Sequence, residues 1–339
     1  MNKILLVSDV LTDIQVNGVG VTILNRKKEL ERIGYIVDIL DARSFAHTFP
    51  LPSYPEIRLT IATVKAVEQK IKACAPDYIH IETEGTLGLL VRTLCKRKKW
   101  KYTTSYHTRF PEYISMRVRS TVFESSVYAY QRWFHKAGIS MFVSTQTLQE
   151  ELECKGFKNG VVVPLGVDTV LFTKNKDAVC PLELTAPIFV YFGRIAVEKN
   201  LKAFLEAQLP GSKLIIGDGP ERILFEEKFA DSAHFVGYKT GQELVDLLSI
   251  AHVCVFPSKT DTFGLSILEA LACELPVVAF DVQGPKNIIT NGHDGFCGDC
   301  IDENAITCLT LDTASCRSTA EKYSWKYAIE KFVTELVPR

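Results

Sequence analysis

Residues 259–272, "KTDTFGLSILEALA", carry two carboxylates, Asp261 and Glu269, on either side of the start of an apolar helical pattern. The apolar run "HVCVFPS" comes just before, so the local order is strand, loop, helix N-terminus. Unpaired amides and the positive end of the helix dipole make such a terminus an anion site. Gly264 allows close backbone approach, and the backbone amides of Phe263, Gly264 and Leu265 are candidate phosphate donors. Glu269 lies one turn beyond Leu265 on the same face, within reach of a neutral hydroxyl beside that phosphate. A plainer alternative makes Asp261 a helix cap and Glu269 a partly exposed helical residue.

Arg194 and Lys199 follow a buried strand in "YFGRIAVEKN", where two cations with Gly193 could neutralise a diphosphate. Gly18 and Gly20, in a loop ahead of a helix, could offer amides to a phosphate or a sugar, or could simply form a turn. They are not a dinucleotide fingerprint, because Ile23 stands where GxGxxG needs its third glycine. His107 ends a strand and begins a loop, a place that suits a binding role better than a core one. Gly217, Gly219 and Pro220 in "GDGP", with Val236 and Tyr238 in "FVGY", also follow strands, but their turn chemistry would be the same without a ligand. No DxD occurs in the chain, so the usual carboxylate pair for a metal-bound sugar nucleotide is missing and no metal or other cofactor is expected.

These residues need strand ends to hold them. Short Val-, Ile- and Tyr-rich runs alternate with helical patterns: "KILLVSD", "YIVDILD", "DYIHIE" and "MFVST", then "PIFVYFG", "SKLIIGDG", "HVCVFPS" and "PVVAFD". This alternation predicts an α/β chain with two doubly wound, Rossmann-like parallel sheets. The 339 residues, 47% of them hydrophobic, are enough for two full cores. "TVLFTKNKDAVCPLELTAP" lacks a helical period and marks the linker. The expected divisions are 1–168, 169–320 and a last helix over 321–339 packed across the junction. Ligands of such sheets bind beyond the carboxyl ends of the strands, so two facing sheets would place a site in their cleft.

A net charge of −1 gives no reason to expect nucleic acid. No apolar run approaches a membrane span, and the N-terminal run lacks a signal-peptide cleavage site. Ten cysteines lie mostly within apolar runs, which suits a reducing cytoplasm; Cys297 and Cys300 form a single CxxC with no second pair at zinc-ligand spacing.

The motifs together resemble the retaining GT-B glycosyltransferases, specifically glycosyltransferase family 4. The resemblance rests on "NGVG" (17–20), "SYHTRFPEY" (105–113), "PLGVD" (164–168), "YFGRIAVEKN" (191–200), "GDGP" (217–220), "FVGY" (235–238) and the acidic-x7-Glu pattern from Asp261 to Glu269. Its variants are most similar to a branch of GDP-mannose-dependent mannosyltransferases and sulfoquinovosyl-diacylglycerol synthases, several of which build glycolipids. It implies a GT-B fold with an N-terminal acceptor domain and a C-terminal donor domain. The implied reaction moves a hexose, with retention, from a nucleoside-diphosphate sugar to a hydroxyl of a glycolipid or glycan, by a front-face route in which the leaving phosphate helps deprotonate the acceptor. Arg194 and Lys199 would then hold the diphosphate, Glu269 the ribose, and Asp261 and His107 the donor sugar. Asp261 departs from the commoner Glu, with a side chain one methylene shorter.

Two alternatives stand beside this reading: a non-catalytic sugar-nucleotide-binding or interaction protein, and another GT-B enzyme such as an epimerase. "CKRKKWKY" (95–102), with Arg117, Arg119, Arg132 and Lys136, is either a solvated basic face or a peripheral contact with anionic lipid at the inner face of a membrane.

Overall fold

The computed structural model describes residues 2–11, 18–51, 54–118, 121–180 and 182–339. Asn17 and Arg119, and the side chain of Arg117, lie outside the described residues. The chain divides into two compact units, residues 1–164 with 325–339, and residues 165–324.

The first unit is built on β1 (Lys3–Val7), β2 (Ile36–Leu40), β3 (Thr48–Leu51), β4 (Tyr54–Thr60), β5 (Tyr78–Ile81), β6 (Thr103–Ser105), β7 (Met141–Val143) and β8 (Gly160–Val162). Six of these form a parallel sheet in the order β2-β1-β5-β6-β7-β8. β1 alternates its side chains between two cores. Leu5 and Val7 meet Val67, Ile71 and Leu87 on one face; Ile4 and Leu6 meet Ile23, Ile329 and Phe332 on the other. The last helix, Trp325–Glu335, therefore returns to the first unit, where it packs against the helix Gly18–Arg32. Burying each such side chain is worth roughly 1.5–3 kcal/mol. β3 and β4 pair separately as an antiparallel hairpin.

The second unit holds β9 (Ile188–Phe192), β10 (Ser212–Ile216), β11 (His234–Gly237), β12 (Val253–Phe256), β13 (Val277–Ala279) and β14 (Gly295–Cys297), in the order β11-β10-β9-β12-β13-β14. All neighbours are parallel. β9 repeats the logic of β1: Ile188, Val190 and Phe192 face Leu248, Ile267 and Leu271, while Phe189 and Tyr191 face Leu201 and Phe204. A strand covered on both faces must be apolar at every position, which is why "IFVYF" does not alternate.

Each sheet has one place where strand order reverses, between β9 and β12 and between β1 and β5. There the connecting helices leave to opposite faces and open a crevice at the strands' carboxyl ends. Among the described residues no helix is long and apolar enough to cross a membrane.

Gly18 and Gly20 are not in a loop. They form the first turn of the helix Gly18–Arg32, with Gly20 buried, because the apolar period of this segment begins earlier than the glycines suggest. First-turn amides have no partner within their own helix, so the expected donors persist in another setting.

Candidate active site

In the second unit the polypeptide leaves β9 through Gly193 and Arg194 and closes a short 3-10 turn, Val197–Lys199. It leaves β12 through Ser258 and Lys259 to Asp261. These two loops are joined across the switch point. Ser258 Oγ and Thr260 Oγ1 donate to the carbonyl of Glu198 at 3.2 and 3.3 Å, and Asn200 Nδ2 donates to the carbonyl of Pro257 at 3.1 Å. Within that frame Lys199 Nζ donates to Asp261 Oδ1 at 2.6 Å. Asp261 Oδ2 is buried and makes no hydrogen bond within the protein.

The helix Leu265–Ala272 begins at Gly264, whose φ of +97° favours glycine, and no side chain caps it. This removes the capping role considered for Asp261, whose carboxylate is committed to Lys199. The helix amides stay without a side-chain cap, as an anion site requires. Phe263 is a core side chain, buried with Ile267 and Leu268, and Leu265 packs partly against the same core, so only their backbones are available.

Glu269 is half-buried, and burial alone pushes its carboxyl up to about 7. The Tyr238 phenol is raised first by its own burial and then by the charge of Glu269, which places the two side chains within electrostatic reach. Tyr191 is buried and donates its hydroxyl to the Arg194 carbonyl at 2.6 Å. Burial, then the nearby carboxylates of Asp261 and Glu198, hold that phenol well above its usual range, so it remains a donor and fixes the turn that carries Arg194.

Gly217 explains its own residue type: a Cβ there would lie 1.9 Å from the Gly193 carbonyl oxygen. The Gly193 amide bonds the Ile216 carbonyl at 2.9 Å, and the Ile195 amide bonds that of Asp218 at 2.8 Å, extending the β9–β10 ladder into the loops. Gly219 is equally closed in, whereas Pro220 is exposed and Val236 packs its side chain partly against the core. Structure thus brings Gly193, Arg194, Lys199, Gly217, Gly219 and Asp261 to one crevice, with Glu269 within electrostatic reach of Tyr238.

His107, Gly18 and Gly20 belong to the first unit. His107 follows β6, and its Nε2 meets Glu82 Oε2 at 2.8 Å. Glu82 lies just past β5 and is fully buried. Burial alone would raise its carboxyl, but the bonded Arg26 guanidinium, helped by the hydrogen bond from His107, outweighs that and holds it well below the carboxylate range. An ionised carboxylate only accepts, so Nε2 of His107 carries the proton. Burial keeps His80 neutral, bonded to Thr103 at 2.7 Å and Ser105 at 2.8 Å. The loop beyond His107 is pinned where Arg109 reaches both oxygens of Glu151, at 2.9 and 2.6 Å.

Asp9, at the end of β1, accepts from the amides of Leu87 and Gly88 at 2.8 and 3.3 Å and from Thr83 Oγ1 at 2.9 Å. It caps the helix Thr86–Lys98 from another strand, and burial pushes it up to about 6. Sequence reasoning missed Asp9, Arg26, Glu82, Glu84, Ser258 and Thr260. The available signal was a charged residue directly after a buried strand, as in "LLVSD" and "IHIE".

Among the described residues no cluster could hold a metal ion, and Cys297 and Cys300 are free thiols. Lys96, Arg97, Lys98, Lys99 and Lys101 are exposed at the C-terminal end of the helix Thr86–Lys98, whose N-terminal end is the one Asp9 caps. Trp100 is only half-exposed and lies against the Arg339 guanidinium, and Trp133 stacks on Arg92.

Two family models match, one to each unit: "Glycosyltransferase Family 4" over residues 16–171 and "Glycosyl transferases group 1" over residues 186–311. The first unit thus carries a glycosyltransferase family 4 domain and the second a group 1 glycosyltransferase domain. The chain is 28% identical over 317 residues to a sulfoquinovosyl transferase of Arabidopsis thaliana, covering 86% of this chain and 62% of that one. Over 169 residues it is 33% identical to a GDP-mannose-dependent alpha-(1-6)-phosphatidylinositol dimannoside mannosyltransferase of Mycobacterium tuberculosis, covering 46% and 44%. It therefore spans less than two thirds of the length of either relative. Sucrose-phosphate synthase from Thermosynechococcus elongatus shares its fold, with a TM-score of 0.79, 20% identity and 98% of each chain covered. Both sheets thus belong to a GT-B glycosyltransferase fold.

Proposed function

We propose that this protein transfers a hexose from a nucleoside-diphosphate sugar, with GDP-mannose or a UDP-sugar as donor, to an acceptor hydroxyl, with retention at the anomeric carbon. The observation that carries the reading is the Lys199–Asp261 pair at the β9/β12 switch point, beside an uncapped helix N-terminus. A diphosphate between Arg194, Lys199 and the amides of Phe263, Gly264 and Leu265 has its charge met without a metal. Glu269 holds the ribose hydroxyls, with Tyr238, Val236, Gly217, Gly219 and Pro220 toward the base. Asp261 offers its second oxygen to a sugar hydroxyl, and His107, with the first-turn amides of Gly18 and Gly20, contacts the sugar near the reacting carbon.

In the reaction the bond from the anomeric carbon to the phosphate oxygen breaks and the acceptor oxygen takes its place. The acceptor proton passes to the leaving diphosphate, whose charge Lys199 and Arg194 balance. Acceptor binding falls to residues 1–168, donor binding to 169–320, and the acceptor is a lipid- or glycan-borne hydroxyl. Peripheral attachment to anionic membrane would use the exposed cluster from Lys96 to Lys101, and should weaken as salt rises.

A ligand that binds only the folded state raises stability. GDP, UDP and their sugars should therefore be screened by thermal shift, and transfer from the responding donor should persist in EDTA. No shift with any of them would end the donor-site reading.

A further inference from the structure

The first unit carries a half-open cavity of about 410 Å³ beyond the carboxyl ends of β1 and β5, large enough for a small organic ligand. Its walls and floor differ in chemistry. The β3–β4 hairpin supplies Leu51, Ile57 and Leu59, and the helix Thr121–His135 supplies Phe123, Val127 and Tyr130. Phe123 is 56% exposed, an apolar ring turned toward water on this wall. The floor is anionic, with Asp9, Glu82 and Glu84 beside His107.

Glu82 is neutralised by Arg26. Asp9 has no cationic partner among the described residues, and Glu84 faces only His135, which is a cation only when protonated. Asp9 is held by amides and a hydroxyl, and Glu84 Oε1 by Gln131 and His135, both at 3.1 Å. A second anion brought against them would meet two carboxylates with no Lys or Arg beside them in a poorly solvated place, which costs more than the same approach in water. A hydroxyl can instead donate to a carboxylate, and hydrocarbon can fill the remainder.

We infer that this cavity binds a neutral, hydroxyl-bearing amphiphile, with its hydrocarbon chain between the hairpin and the helix and its hydroxyl end at the Asp9, Glu84 and His107 floor. This rests on the proposed transferase reading insofar as the bound hydroxyl is the acceptor, and it narrows that acceptor to a lipid with an uncharged headgroup. The phosphate-bearing headgroup of an anionic lipid is disfavoured at this floor. The basic cluster Lys96–Lys101 offers it no relief, since it lies about 20 Å away at the other end of a 13-residue helix.

The test is calorimetric titration of the full chain with soluble monoacylglycerols of increasing chain length and with lysophosphatidic acid of matched chain. Kd for the neutral series should fall by up to about fourfold per added methylene until the cavity is filled, and the phosphorylated analogue should bind at least about tenfold more weakly. Val127→Trp, which fills the cavity, should abolish the chain-length dependence. Leu59→Asn does the same from the hairpin wall if the helix variant does not fold. Equal affinity across chain lengths, an anionic analogue that binds as well as the neutral one, or folded wall variants that bind as wild type would each overturn the inference. The nucleotide-induced thermal shift is measured on the same samples. Its absence alongside intact chain-length dependence would count against the transferase reading and leave the cavity assignment standing.

Discussion

The two switch points are built on the same plan and filled with opposite chemistry. At β9/β12 the loops are stitched by hydrogen bonds, the cation Lys199 is part-exposed, and a helix terminus is left uncapped. At β1/β5 the cation, Arg26, is buried beneath the site against Glu82, the helix terminus is already capped by Asp9, and the rest is apolar wall. A parallel sheet supplies the crevice in both cases. What the crevice can bind depends on whether charge is left accessible or consumed in the fold.

Removing each cation tests that difference most strongly. Arg26→Met leaves the Glu82 charge buried and uncompensated, which should cost roughly 3–5 kcal/mol of stability in chemical denaturation. Arg26→Met with Glu82→Gln should recover much of it. If the single variant unfolds like wild type, the buried pair is not structural and the contrast fails. Lys199→Ala should do the reverse. The pair is partly exposed where Arg26 and Glu82 are not, so folding should suffer less than in Arg26→Met, while kcat/KM for the donor should fall about 10²–10³-fold, as for loss of one transition-state donor.

Much of this was legible before any coordinates. Strand runs such as "IFVYF" lack alternation because both faces are covered, and Gly264 marks a turn only glycine makes easily, so the parallel sheets and the loops after β9 and β12 could be read directly. Pairings could not. Lys199 and Asp261 meet across 62 positions, and nothing local to either names the other. The β3–β4 hairpin was hidden by Pro50, Pro52 and Pro55, which argue against a central strand although they are tolerated at an edge. Asp9 and Glu82 looked like ordinary strand-end charges because burial, which gives them their roles, is a tertiary property.

Each crevice also holds one carboxylate raised by burial, and each gives a pH test. Burial raises the Asp9 carboxyl in the folded state to about 6, above its ordinary value of 3.8, so the folded state binds the extra proton. Its contribution to stability is full below about 4 and is lost as pH rises to about 6, by roughly 3 kcal/mol in all. Asp9→Asn removes this titration. The wild-type unfolding free energy, taken relative to the variant, should therefore decline across that window and stay level above it. A flat difference would show that Asp9 stays ionised.

Glu269 should carry the smaller and more specific signal. Burial raises its carboxyl to about 7, so near neutrality the free protein holds it about half protonated. Ribose hydroxyls donate to the ionised form, so binding must first remove that proton. Nucleotide affinity should therefore rise about tenfold per pH unit below 7 and level off above it. Glu269→Gln should bind more weakly at pH 8 yet converge toward wild type near pH 5.5. The nucleotide's own phosphate titrates in both proteins, so the comparison cancels it. An identical pH slope in the variant would remove Glu269 from the ribose and leave the β9/β12 crevice without a specific carboxylate for the nucleoside.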